Sequence, residues 1–182
     1  MIFWRMFNEH LENLREMFQR LREANLCLKP KKCHLAEQQV LYLGYVVSEA
    51  GISVDTSKVE AIEKFPIPRN VKELRLFLGL ASYYRCFIAG FSKIAHPLFA
   101  LTKKGAMFQW NSSCQQAFGK LKDMLTSAPV LVFPDFRERF ILKTDVSGLG
   151  LGAILSQRQP NGLIAPIAYA SHTLKLDMGY QN

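Results

Sequence analysis

Asp145 is the residue whose placement most suggests chemistry. It follows the apolar run of "FILKTDVSGLGLGAILSQ", Phe140 to Gln157, with a glycine-rich turn and a second apolar run behind it. A carboxylate at the end of a strand is a common way to supply one metal ligand for phosphodiester chemistry. Two-metal phosphoryl transfer, however, needs several carboxylates around ions about 4 Å apart. No adjacent Asp-Asp pair occurs in the 182 residues, and Asp177 is the only acid after Asp145. Gly148, Gly150 and Gly152 do not form a G-x-G-x-x-G phosphate loop and read as a tight strand-to-strand turn.

The other residues with chemical potential are cations. Lys29, Lys31 and Lys32 surround Pro30 in "CLKPKKC", Lys103 and Lys104 close "LTKKG", and Lys72 and Arg75 lie three apart on a helical pattern. Each group can neutralise phosphates and give salt-sensitive, sequence-blind binding, or simply be a solvated surface. Tyr83, Tyr84 and Phe87 can stack on bases, although aromatic residues at helical spacing more often fill a core. Twenty-three Lys+Arg against fifteen Asp+Glu, a formal charge of +8, favour a polyanionic partner, nucleic acid before a membrane surface.

Cys27, Cys33, Cys86 and Cys114 lack C-x-x-C spacing and the density of a secreted disulfide scaffold, so they read as reduced, mostly buried thiols. Cys33-His34 has no second ligand pair at zinc spacing, which excludes a zinc site. "MIFWRMF" is too short and lacks the cleavage site of a signal peptide, and no stretch approaches the roughly 20 apolar residues that span a bilayer. The expectation is a cytoplasmic or nuclear protein.

With 49% apolar residues, the chain has material for a packed core. Leu11, Leu14, Phe18 and Leu21 predict an amphipathic helix over 9–25, which Pro30 keeps from continuing. "HLAEQQVLYLGYVVSEAGISVD" predicts a short strand and a hairpin with Gly51 at the tip of a turn. Asp55 or Thr56 caps the next helix, which "PIPRN" stops. Leu74, Phe77, Leu78, Ala81, Tyr84, Phe87 and Ile88 mark further helices broken at Gly90. Ser112 or Ser113 caps a helix carrying Ala117, Phe118, Leu121 and Leu125, and "APVLVFPD" is extended. From Phe140, three strand-like runs joined by "GLG" and "PNG" predict a meander, and "KLDMGYQN" is the start of a covering helix.

Taken together, "HLENLREMFQRLREANLCLKPKKCHL", "VLYLGYVVSEAGISVDTSKVEAI", "FPIPRNVKELRLFLGLASYYRCFI", "FSKIAHPLFALTKKG", "FQWNSSCQQAFGKLKDMLTSAPVLVFPD" and "FILKTDVSGLGLGAILSQ" resemble the pol polyprotein of Ty3/gypsy-type long-terminal-repeat retroelements. The resemblance implies an α+β chain in three parts. Residues 1–54 would be a C-terminal palm remnant with a primer-grip-like hairpin, 55–106 a thumb-like helical region, and 107–182 a truncated ribonuclease H-like domain opening on a β-meander. Leu43, Gly44 and Tyr45 would hold a primer end. Asp145 would be a catalytic and Mg²⁺-binding carboxylate, with Val146 replacing the usual alanine of Asp-Ala-Ser.

By the same comparison, Met1 falls just after the polymerase aspartates, and the later ribonuclease H acids lie beyond Asn182. Asp177 stands ahead of the family's helical Glu and does not take that role. The leading expectation is therefore a catalytically incomplete fragment that binds a primer-template or RNA/DNA hybrid. Two alternatives are a segment of an active RNA-directed DNA polymerase and ribonuclease H polyprotein, and a domesticated interaction module.

Overall fold

The structure, a computed structural model, describes residues 7–148 and 150–174. The helix start expected in "KLDMGYQN", with Asp177, lies outside the described residues, as do the first six residues of "MIFWRMF". Two compact units meet in sequence between Glu37 and Gln38.

In the first unit, α1 (Phe7–Glu23) carries the expected apolar stripe, with Glu16 and Arg20 paired one turn apart. It ends because Asn25 enters the left-handed region at φ 54°. This lets the Leu26 amide donate to the Leu21 carbonyl, 2.9 Å, and the Asn25 amide to Arg22. The chain then makes one 3₁₀ turn over Pro30–Lys32.

The second unit opens with an antiparallel meander, β1 (Gln39–Tyr42), β2 (Tyr45–Ser48) and β3 (Gly51–Val54). Leu43 and Gly44 connect β1 to β2 with positive φ at both residues, 49° and 76°. Two positive φ angles are the mark of a type I′ turn, whose twist matches that of the strands. Gly51 is not the tip of the next turn, as the sequence suggested. Tyr45↔Val54 and Ser48↔Gly51 pairing leaves Glu49 and Ala50 there and makes Gly51 the first residue of β3. A glycine is required because a Cβ would stand 2.2 Å from the Leu131 carbonyl oxygen.

Four helices follow. Asp55 caps α2 (Thr56–Glu63), accepting from the Ser57 amide at 2.9 Å. Asn70 caps α3 (Val71–Tyr83) by accepting from Glu73 N, while the Glu73 carboxylate reaches back to Arg69 N, 2.8 Å. The arrangement resembles a capping box but reaches one residue further back, to the amide before the cap, with the Asn70 side chain also donating to Glu73. After a 3₁₀ turn at Arg85–Phe87, Gly90 at φ 65° starts α4 (Phe91–Ala100). The cap of α5 (Ser112–Thr126) is Asn111, not Ser112 or Ser113. Its side chain accepts from Cys114 N, and both serines already lie in the helix.

The helical periods place their apolar residues as expected. Leu74, Phe77, Leu78 and Ala81 of α3, Ala95 and Leu98 of α4, and Leu121 and Leu125 of α5 are buried together. Phe77 is fully enclosed, its ring centroid 5.4 Å from that of Phe65 and 4.5 Å from that of Phe118. Burying each such side chain contributes about 1.5–3 kcal/mol. The buried apolar residues run in sequence from Val54 to Leu131, so the helical stretch carries most of the core. Cysteine burial departs from expectation. Only Cys114 is buried, while Cys27 is exposed because it lies in the polar connection that follows α1.

Extended residues after α5 link the two sheets through their backbone. Leu131 and Ile52 exchange hydrogen bonds of 2.8 Å, and Val132 N donates to Pro166 O at 2.9 Å. The second meander comprises β4 (Phe140–Ser147), β5 (Gly150–Arg158) and β6 (Ile164–Thr173), in that order, with a bulge at Leu155/Ser156. Buried Gln157 fixes its entrance. Its amide accepts from Asp135 N and donates to Asp135 O and Glu138 O at 2.7 and 3.1 Å. Ser171 of β6 accepts from Ser92 N at 3.0 Å, tying this sheet to the start of α4.

Candidate nucleic-acid interface

The Leu43–Gly44–Tyr45 turn is solvent-facing but not loose. Leu43 is 68% exposed, yet its carbonyl accepts from the Tyr83 hydroxyl. The Gly44 carbonyl accepts from Tyr84 at 2.8 Å, and Tyr45 returns a hydroxyl to the Tyr83 carbonyl at 3.1 Å. The Tyr45 ring stacks on Tyr83, centroids 5.2 Å apart, and meets Tyr84 edge-on at 5.6 Å. Tyr84 and Phe87 are core residues, 1% and 2% exposed, so neither is available to stack on a base. Tyr83 remains half-exposed beside the turn. Burial raises the Tyr45 hydroxyl pKa, and burial with nearby Asp55 pushes Tyr84 up to about 12. Both stay protonated donors at neutral pH.

This clamp joins the turn to the C-terminal end of α3. The other end of α3 presents Lys72 and Arg75, both exposed, with Arg75 about 14 Å along the axis from Tyr84. The Arg75 guanidinium donates to Thr102 O, 3.2 Å, just past α4, and so sits beside exposed Lys103 and Lys104. Cations here also complement the carbonyl end of α4. The fold thus brings Arg75 to the Lys103–Lys104 corner, a proximity the 27-residue separation hides in the sequence.

In the other unit, Lys29, Lys31 and Lys32 are all exposed around the 3₁₀ turn, where Cys33 N closes onto Pro30 O at 3.0 Å. Proline at the first position presets the turn and spreads the three ammonium groups over a short span.

Asp145 lies on β4 opposite Gly152, which pairs in turn with Ser171. Its side chain is exposed, and no group of three or more His, Cys, Asp or Glu residues suited to a metal exists among the described residues. Among the described residues, the carboxylates around Asp145 do not by themselves make up the donor set of a two-metal centre.

Sequence reading missed a second cationic corner. Arg137, Arg139 and Arg158 line a shallow recess with Glu138 and Ile141. Arg137 forms a two-pronged pair with Asp135, 2.9 and 2.6 Å, which raises the guanidinium pKa, and Arg158 donates to Gly162 O. Pairing of Phe140 with Gln157 is what brings Arg139 and Arg158 together, and the "RER" run alone gave no sign of Arg158.

Residues 110–178 match the RNase H-like domain found in reverse transcriptase. Across 95% of its length, the chain is 41% identical to the retrovirus-related Pol polyprotein from transposon 297 of Drosophila melanogaster, of which it covers 16%. It is 36% identical over 90% of its length to the Tf2-3 transposon polyprotein of Schizosaccharomyces pombe, covering 12% of it. The chain is a homologue of retroelement Pol polyproteins, with the RNase H-like match in its second half. It spans about a sixth or less of the length of these Pol relatives. Among solved structures, it superposes on a foamy viral protease-reverse transcriptase in complex with RNA/DNA hybrid at a TM-score of 0.77. Identity there is 28%, over 96% of this chain and 24% of that one. The same viral protein in complex with dsDNA gives 0.75 at 29% identity, over 92% of this chain and 35% of that one. Among the described residues, no helix is long and apolar enough to cross a membrane.

Proposed function

We propose that this chain is a nucleic-acid-holding part of a retroelement reverse transcriptase and ribonuclease H, and that its 182 residues complete neither active site. In this reading, residues 1–54 are a palm remnant with a primer-grip-like hairpin, 55–106 a thumb-like region, and 107–182 a ribonuclease H-like part. The observation that carries it is the tyrosine-clamped turn at one end of α3, with Lys72, Arg75, Lys103 and Lys104 grouped at the other. A fixed backbone turn and a row of cations suit a primer-template or RNA/DNA hybrid, whose phosphates attract charge and whose end needs a rigid stop. The likeness to a viral reverse transcriptase solved with dsDNA and with RNA/DNA hybrid supports the same partners. The absence of an adjacent aspartate pair in the sequence supports binding without turnover.

The test is anisotropy of a labelled primer-template at two salt concentrations. Affinity falls steeply with salt, and K103E/K104E lowers the slope of log affinity against log salt by about 2. No binding at low salt would overturn the reading and leave an interaction module.

The small share of each relative's length that the chain spans favours a second reading, in which it is one segment of a longer active polyprotein. Asp145 would then be one of several Mg²⁺ ligands. In that longer protein, Asp145→Asn abolishes hybrid cleavage and leaves hybrid binding intact. Cleavage unaffected by the change would remove the assignment.

A further inference from the structure

The end of β4 away from Asp145 is fixed by a buried polar side chain. Gln157 is 2% exposed and spends its whole amide on main-chain atoms of the loop that leads into β4. Its oxygen accepts from Asp135 N at 2.9 Å, and its nitrogen donates to Asp135 O and Glu138 O. The loop held in this way presents Arg137 and Arg139. Arg139 precedes Asp145 by six residues, about 20 Å of extended chain, so this corner is separate from the carboxylate.

Arginines converge here from two strands. Arg137, Arg139 and Arg158 line one shallow recess with Glu138 and Ile141. The register that pairs Phe140 with Gln157 sets Arg139 beside Arg158 at its next step, and like charges directly across two strands are destabilising. Both acids of the corner act on Arg137. Asp135 grips it at 2.9 and 2.6 Å, and Glu138 attracts it at longer range. Arg158 is aimed by its bond to Gly162 O, 3.0 Å, in a turn closed by Gly162 N on Gln159 O.

An anion between Arg139 and Arg158 turns that repulsion into two attractions. A guanidinium is a planar fork of five N–H donors that meets phosphate oxygens two at a time, which a lysine cannot do. Arg158 uses one donor on Gly162 O and keeps the others for a ligand. The recess is too shallow and open to enclose a small molecule. It suits a single phosphate of a polymer whose other charges are met elsewhere on the protein. Lys72, Arg75, Lys103 and Lys104, exposed in the same unit, supply such contacts.

We propose that Arg139 and Arg158, with Arg137 held beside them, form a further backbone-phosphate contact for duplex nucleic acid, at the opposite end of β4 from Asp145. The proposal rests on the nucleic-acid-holding reading and adds to it a contact made by the second meander.

Anisotropy of a labelled primer-template across a salt series, with the intact chain and R139Q/R158Q, tests it. The expected slope of log affinity against log salt is smaller by about 2 in the variant, additive with the effect of K103E/K104E. Thermal unfolding without ligand should give a melting temperature no lower than that of the unaltered chain, because a repulsion has been removed. R139K/R158K keeps the charge and loses the fork, so it retains the slope and binds several-fold more weakly. If the unaltered chain binds and R139Q/R158Q shows the same slope, this site falls and the nucleic-acid-holding reading stands. If the unaltered chain does not bind, both fall. Inorganic phosphate taken up at these arginines in calorimetry, with no change in the duplex slope, would make this a free-anion site and overturn the proposal. So would a lowered melting temperature in R139Q/R158Q, which would show that the arginines serve the fold.

Discussion

The two β-meanders share a topology and differ in how their candidate functional groups are held. In β1–β3 the residues of interest sit in a turn whose two carbonyls accept from tyrosines forty residues away, one of them 1% exposed and packed in the core. In β4–β6 the residue of interest, Asp145, is an exposed side chain on an edge strand, and what is fixed there is the entrance loop gripped by Gln157. The first site is oriented by its own chain. Among the described residues the second is presented but not surrounded, so a metal site there would need further ligands, whereas the turn is held rigid by its own chain.

The contrast can be broken most severely through the core beneath the turn. Phe77→Ala leaves a cavity between Phe65 and Phe118 and costs about 3–5 kcal/mol, read from urea unfolding. If the turn depends on that core, weakened primer-template binding accompanies the loss of stability. Gln157→Ala acts on the other meander. It strips partners from Asp135 N, Asp135 O and Glu138 O and costs about 1–3 kcal/mol, with faster proteolysis at residues 135–139.

Tyr84→Phe sharpens the comparison, since it keeps the ring and removes only the bond to Gly44 O. The expected cost is about 1 kcal/mol, with a larger effect on primer-template binding than on melting. The same hydroxyl gives a pH signature. Its folded pKa, about 12, lies above the ordinary 10.0, so the protonated form is favoured by folding. That stability is fully present below pH 10.0 and is lost as pH rises toward about 12. Tyrosinate absorbance and chain unfolding followed together should show the loss in wild type and a smaller one in Tyr84→Phe. The smallest effect is expected for Asp145→Ala, within about 0.5 kcal/mol in dilute thermal unfolding, because the side chain is exposed. A large loss there would mean the carboxylate is structurally committed after all.

Periodicity made the elements legible and left their mutual grip hidden. Leu74, Phe77, Leu78 and Ala81 recur at helical steps and are buried, and the three runs after Phe140 became strands in the expected order. Local capping chemistry was nearly legible: Asn111, next to the two serines considered, has the side-chain oxygen that reaches Cys114 N. The tyrosine clamp left no local mark, because Tyr83 and Tyr84 read as one more apolar step and their acceptors are backbone carbonyls, which every residue has. Arg75 beside Lys103 and Lys104 was hidden for the same reason. The role of Gly51 was misread because its requirement comes from Leu131, eighty residues on, rather than from its own turn.

Leu131 and Val132 link one meander to the other through main-chain atoms alone. Side-chain replacement can alter the volume at these positions but cannot remove an amide or a carbonyl, proline excepted. The link is therefore nearly immune to point mutation and sensitive to length. Deleting a single residue between Ser127 and Asp135 would move the donors and acceptors by one position and uncouple the sheets without changing any of the exposed cations or the tyrosine-clamped turn. Insertions and deletions in this short strap should disable the protein more reliably than substitutions do.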